Sequence, residues 1–368
     1  MNALTPIAAT PPTVDPRRLR GRAAVSNAVG RYERHARELV EDGWAESDEA
    51  PSPLRTEVIR DATRTIIARN KSPDLSFDQS INPYRGCEHG CIYCFARPTH
   101  AYLGLSPGVD FETKLFAKPD AAKLLAAELR APGYRPQVIA MGTNTDPYQP
   151  IERDYRITRS ILEVLAAFKN PVAIVTKSAL VARDIDILAP MAKEGLAKVA
   201  VSVTTLDRGL ARVMEPRAAT PQRRLDTIRA LADAGIPTGV MCAPMIPALN
   251  DSEMEAILEA AAEAGAVQAA YIVLRLPLEI KDLFKEWLAA NAPDKAEHVM
   301  SLVRQMRGGK EYDSTWGLRM RGAGPYAGMI ARRFQLAARR LGLNETRNPL
   351  DIAKFRPPPR LGEQLSLL

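Results

Sequence analysis

From about residue 78 the chain alternates short, continuous apolar runs with amphipathic stretches. The runs are Gln137–Met141, Val172–Val175, Val199–Val203, Gly239–Cys242 and Tyr271–Leu274. They are continuous rather than alternating, which predicts parallel strands buried on both faces. A first strand is predicted before Cys87, around Phe77–Pro83. Between the runs, Ile157, Ile161, Leu165 and Phe168 recur at helical spacing until Asn170-Pro171. Leu225, Ile228, Leu231 and Ala232 do so before Gly235, and a third helix over 253–264 follows an Asp251/Ser252 capping signal and stops at Gly265. Six strands alternating with helices imply right-handed βαβ units in a partial or full (β/α) barrel, with a doubly wound open sheet as the alternative. In both, chemistry belongs at the C-terminal ends of the strands.

Beyond residue 296 the pattern changes to two basic helices, over 296–307 and 326–341, and then a loop-like tail. The expected organisation is a disordered basic arm (1–54), a core (55–295), a basic helical extension (296–343) and a flexible tail (344–368). The chain has 368 residues and a net charge of +7. Residues 1–40 balance to +4 and residues 300–368 to +8, leaving the centre at −5. Basic flanks suggest a polyanionic partner, nucleic acid first, although arginine also serves as a solvated helix former. No apolar run is long enough for a membrane span, and the N-terminus lacks a secretory pattern, so a cytoplasmic protein with no membrane partner is expected.

Four cysteines occur, and three of them, Cys87, Cys91 and Cys94, form a C-x3-C-x2-C loop just after the first predicted strand. Such clustering reads as metal or redox chemistry rather than a disulfide framework. Three thiolates leave one iron of a [4Fe–4S] cube without a protein ligand, open to a small molecule. Gly86 and Gly90 permit the turns that wrapping a cluster needs. A zinc site with His89 as fourth ligand is the alternative. Cys242, alone in an apolar strand, reads as a small core hydrophobe, although it falls near a strand end.

The loop, with Tyr93 before its last cysteine, resembles the signature of the radical S-adenosylmethionine (SAM) superfamily. The strings Asn82–Cys87, Phe95–His100, Gly142–Pro150 and Glu215–Ala218 resemble its spore-photolyase-like branch. The resemblance implies a partial (β/α)6 barrel of the TIM-like, radical SAM type. It also implies a [4Fe–4S] cluster on Cys87, Cys91 and Cys94, which carry the catalysis, with SAM on the open iron. A flavodoxin- or ferredoxin-type electron donor would reduce the cluster, and cleavage of SAM would give a 5′-deoxyadenosyl radical. For SAM it implies contacts near Tyr93 and at the strand-two end, Gly142, Thr143, Asn144, Thr145 and Asp146, where hydroxyls and a carboxylate can accept from an ammonium. Lys177 ends strand three, and Ser202 and Thr204 share one face of strand four. Arg217 or Arg275 could clamp the SAM carboxylate, while Glu215 and Arg217 could instead cap the next helix.

The resemblance further implies action on DNA, in the manner of repair. Spore photolyase, however, uses an additional cysteine as hydrogen donor. Here no cysteine lies between Cys94 and Cys242, and Phe95 stands where a tyrosine could relay a hydrogen. Modification of RNA, a peptide or a small metabolite is a second reading, and a non-catalytic, metal-stabilised nucleic-acid module a third. The C-terminus, Gln364-Leu365-Ser366-Leu367-Leu368, resembles a sliding-clamp docking peptide, with a hydrophobic latch folded onto the barrel as the alternative.

Overall fold

The computed structural model describes residues 14, 16–33, 52–346 and 348–359. Six parallel strands form its centre: β1 (Gln79–Ile81), β2 (Ile139–Met141), β3 (Val172–Thr176), β4 (Ala197–Ser202), β5 (Thr238–Met245) and β6 (Gln268–Val273). Each pairs with its neighbour in chain order, and strand Ile67–Arg69 adds antiparallel to the outer edge of β1. No pairing among the described residues joins the two edges, so the α/β fold is a partial (β/α)6 barrel. A second, three-stranded sheet (Glu57–Arg60, Lys114–Ala117, Tyr84–Arg85) packs beside it. Its strands are short and partly exposed, and no apolar run in the sequence announces them.

Alternation along each strand builds two faces. On β4, Val199 and Val201 join the main hydrophobic core with Ile161, Leu165, Leu188, Ile228 and Leu231 from the surrounding helices. Lys198, Ala200 and Ser202 point the other way. Register extends this inner face through small residues, with Ser80 beside Ala140 and Ala140 beside Ala173. A closed barrel fills its interior with bulky branched layers. Here the inner positions of β1–β3 at this level are small.

Helices Ile157–Ala167 and Pro221–Asp233 stop where the Asn-Pro and glycine signals fall. Helix Met254–Glu263 is correctly bounded by Gly265, but neither Asp251 nor Ser252 caps it: residues 251–253 form a 3-10 turn, and Asp251 accepts from the Tyr326 hydroxyl at 2.7 Å. The extension folds as Pro293–Gln305, Leu318–Arg321 and Gly324–Arg340. It also spans the barrel's lateral gap. Arg307 donates to Leu274 O at the end of β6 and to Leu318 O, while Arg319 pairs with Asp74, between the outer strand and β1, at 2.5 Å.

Two expectations of disorder need correction. Within the N-terminal arm, Ala23 and Ala24 are buried because their amides bond the Glu112 carboxylate at 3.2 and 3.0 Å. In the tail, Asn344 continues the edge of β6 through both its side-chain amide atoms, and Phe355 packs on Tyr134 and Phe168. Residues 1–13 and Gln364–Leu368 lie outside the described residues. No described helix is long and apolar enough to cross a membrane.

His100, fully buried against Phe111, bonds Lys114 O through Nε2, while its Nδ1 has no partner. Burial lowers its pKa from 6.5 to about 4. The folded state therefore withholds a proton that the unfolded chain accepts. The stability this contributes is complete above about pH 6.5 and is lost as pH falls toward 4. Urea unfolding should weaken by about 2 kcal/mol between pH 7 and pH 5 from this group, a loss that His100→Gln removes.

Candidate functional site

The cysteine loop follows β1, where Gly86 (φ 74°) and Gly90 (φ 68°) turn left-handed. A Cβ on Gly90 would come 2.8 Å from a Glu112 carboxylate oxygen, so the second glycine is required twice over. The loop makes few bonds to itself, and side chains complete it. Arg97, with no exposed surface, donates to Gly90 O, Cys91 O, Pro107 O and Gly108 O at 2.9–3.0 Å and pairs with the buried Glu112 at 2.5 Å. Gln149 accepts from Glu88 N at 2.8 Å, and Thr145 donates to Gly86 O at 2.7 Å.

The segment Met214–Arg217 grips the loop from the other side. Ile92 N donates to Met214 O at 3.0 Å, the Tyr93 hydroxyl to Glu215, and Arg217 N to His89 O at 3.3 Å, while the Arg217 guanidinium pairs with Glu88. Glu215 and Arg217 therefore do not cap the helix that follows; Thr220 does. Arg217 faces Glu88 on the cysteine loop rather than the strand ends expected to meet a cofactor.

Glu215 is the hub. Buried, it accepts from Tyr93, from Arg224 and from Thr204 at 2.7 Å, with Lys177 Nζ at 4.0 Å. Lys177 donates to Ser202 Oγ at 2.8 Å and lies 5.7 Å from the Tyr93 ring centre. Burial lowers its pKa. Ser202 and Thr204 both reach Ala243 O on β5, at 3.2 Å each, as their shared strand face predicts. Tyr93, Lys177, Ser202 and Thr204 thus come together, around a carboxylate whose role the sequence did not reveal.

At the end of β2, Gly142 (φ 92°) lies against Val175 O, where a Cβ would come within 2.0 Å. Thr143 Oγ1 and Asn144 N both donate to Asn82, at 3.1 and 2.9 Å. Asp146 accepts from Thr176, Tyr148 N and Lys177 N and lies 3.4 Å from His89 Nδ1. Burial pushes its pKa up, but His89 and these hydrogen bonds outweigh that and hold it near 2. Its oxygens are occupied in joining β2, β3 and the loop. His89, the alternative zinc ligand, is turned to this carboxylate, and no three metal-ligating side chains among the described residues close on a single ion. Arg275, after β6, lies over the Phe95 ring at 4.9 Å, apart from the Glu215 hub.

Burial raises the pKa of all three loop thiols. The carboxylates of Asp146 at Cys87 and Glu215 at Cys91 add to this, while the Asp146 amide at Cys87, Lys177 at Cys91, and the Ala96 amide and Arg97 at Cys94 act the other way. These donors and cations are what a thiolate would use. Cys242 sits fully buried in the main core.

The family model of the radical SAM superfamily matches residues 81–261, which run from the last residue of β1 through the cysteine loop and strands β2–β5. The chain belongs to the radical SAM superfamily. An uncharacterized protein of Mycobacterium tuberculosis (strain H37Rv) is 41% identical over 243 residues, 65% of this chain and 72% of its own length. One from Methanocaldococcus jannaschii is 27% identical over 245 residues, 67% of this chain and 87% of its own. Among solved structures, spore photoproduct lyase complexed with dinucleoside spore photoproduct superposes with a TM-score of 0.56 at 16% identity, covering 78% of this chain and 80% of the other. At that identity the likeness is one of fold. The radical SAM superfamily uses a [4Fe–4S] cluster and SAM, and this chain is a radical SAM enzyme by membership.

Glu215→Gln should cost about 3–5 kcal/mol of stability, because it leaves the buried Arg224 without its counter-charge. Urea denaturation of the apoprotein measures it, and a loss below about 1 kcal/mol would show that the hub tolerates an uncharged centre.

Proposed function

We propose that Cys87, Cys91 and Cys94 hold a [4Fe–4S] cluster, that SAM lies across the ends of β2–β5, and that the enzyme acts on nucleic acid. The observation that carries this reading is the meeting of two buried thiols, a half-buried third and a half-buried lysine at the same strand ends. The donor set fits the cluster: soft sulfur ligands are supplied from one short loop, with the Asp146 and Ala96 amides and the cations Lys177 and Arg97 beside them to offset part of the cost of burial. Held by Cys87, Cys91 and Cys94, such a cluster would supply the single electron needed for reductive cleavage of bound SAM.

The protein's part is to bind, orient and shield. Lys177 has hydroxyl and carbonyl partners and only a distant carboxylate, so it can take the SAM carboxylate, with Ser202 and Thr204 beside it. Tyr93, fixed by Glu215, holds the last turn of the cysteine loop. Thr143 and the exposed Asn144 lie on the amino-group side, where Gly142 lets the strands approach. Thr145 and Asp146 serve by fixing that strand end to the loop, and Arg217 by fixing the loop through Glu88. A flavodoxin- or ferredoxin-type protein supplies the electron.

Nucleic acid is favoured as substrate by the net positive charge and by the fold shared with an enzyme solved in complex with dinucleoside spore photoproduct. With Cys242 in the core, no further protein thiol is available to return a hydrogen. The product therefore differs from one made by thiol-assisted reversal of a thymine lesion.

The anaerobically reconstituted protein should bind about four irons and, once reduced, cleave SAM to 5′-deoxyadenosine. Cys87→Ala, Cys91→Ala and Cys94→Ala should each abolish both, Cys242→Ala neither. Lys177→Met should raise the KM for SAM at unchanged iron content. Stoichiometric zinc without iron in the fresh protein, together with no SAM cleavage, overturns the reading.

A further inference from the structure

Five aromatic side chains are exposed among the described residues, and three of them, Tyr32, Phe95 and Tyr102, line one rim beside the cysteine loop. The rim joins the segment after Cys94 to the segment after β6, and two arginines pin it. Arg275 lies 4.9 Å from the centre of the Phe95 ring. Arg31 lies 4.9 and 5.2 Å from the Tyr32 and Tyr102 rings, and it donates to Glu279 at 2.6 and 2.8 Å and to Pro98 O at 3.4 Å. The two tyrosine rings are 5.2 Å apart and inclined at 33°. Phe95 is 43% exposed, Tyr32 55% and Tyr102 69%; Leu278 on the same rim is 54% exposed. Arg275 has no carboxylate partner among the described residues. Its Nε is buried without a hydrogen bond, and its Nη1 meets only the Met320 sulfur at 3.5 Å.

Apolar rings kept in water beside cations are costly unless something covers them. Every unpaired base offers a flat face for stacking, and a guanidinium held on a ring still turns its N–H edge outward to a phosphate. A duplex hides its base faces, so the chemistry here suits an unpaired strand. We infer that this rim binds single-stranded nucleic acid, with bases stacked on Tyr32, Tyr102 and Phe95 and a phosphate at Arg275. It would deliver the strand to the mouth that opens beside Cys94. The inference rests on the nucleic-acid reading above and adds where, and in what form, the strand is held.

The test is fluorescence anisotropy of labelled oligothymidylate, oligouridylate and a duplex of equal length, titrated with the reconstituted full chain in the presence of SAM. The two single strands distinguish DNA from RNA; either should bind more tightly than the duplex. Tyr32→Ala and Tyr102→Ala should each weaken binding about tenfold, while Tyr102→Phe keeps the ring and the affinity. SAM cleavage should be unchanged in these tyrosine variants, which confirms an intact core. Arg275→Met should lower the slope of log affinity against log salt by about 1. Equal binding by wild type and the Tyr32/Tyr102 double alanine overturns the rim and leaves the nucleic-acid reading standing. No binding of any oligonucleotide by the wild type overturns both. A dimer in sedimentation that Tyr102→Ala abolishes would assign the rim to a second copy of the chain and overturn the inference.

Discussion

Arg97 and Glu112 form an ion pair with no exposed surface on either side chain, and the cysteine loop exists in its shape because of it. A loop closed by two left-handed glycines leaves several main-chain carbonyls buried without helix or sheet partners, and each such group is costly unless bonded. One guanidinium satisfies two of them, Gly90 O and Cys91 O, together with Pro107 O and Gly108 O from the neighbouring segment, because its five donors fan out in a plane. Isolated in the interior, that cation would be untenable. Glu112 neutralises it and spends its remaining acceptor capacity on the amides of Ala23 and Ala24. Through this pair the N-terminal arm becomes part of the site's foundation.

The second dependence runs through Glu215. A carboxylate buried among Tyr93, Thr204, Arg224 and, at longer range, Lys177 draws the cysteine loop, β3, β4 and the helix Pro221–Asp233 toward one point. Buried ion pairs contribute modestly to stability after desolvation, but breaking one is expensive. The hub therefore acts as a specificity device: it fixes the distance between the loop that carries the sulfurs and the strand ends that carry Lys177 and Ser202.

The parallel strands and the helices between them were legible because continuous apolar runs and 3.6-residue periodicity report burial directly. So was the loop, since three cysteines at that spacing have few structural explanations. The Ser202/Thr204 face followed from strand alternation alone. What was not legible depends on long-range partners. Nothing local distinguishes Arg97 or Glu112 from surface charges, and Glu215, a few residues ahead of a helix, reads equally well as a charge at that helix's start. The small sheet Glu57–Arg60, Lys114–Ala117, Tyr84–Arg85 has too few apolar positions to show a period. Gly-Thr-Asn-Thr-Asp read as a set of free acceptors, yet Asp146 is fully engaged and Thr145 donates to the loop.

Charge is where sequence arithmetic and structure part most clearly. The C-terminal region is basic by count, which suggested a polyanion-binding helix bearing Arg332, Arg333, Arg339 and Arg340. Folding uses much of that charge internally: Arg307 serves two carbonyls, Arg319 pairs with Asp74, Arg333 with Glu255, and Arg340 lies 4.0 Å from Glu259. A guanidinium already facing a carboxylate attracts a phosphate weakly, since screening and the existing pair both reduce its field. Net charge measures what a chain attracts at a distance, whereas recognition depends on cations the fold leaves unpaired. By that criterion the extension keeps only Arg332 and Arg339 of its four, and they are joined by Arg275, whose guanidinium rests on the exposed Phe95 ring with no carboxylate partner among the described residues.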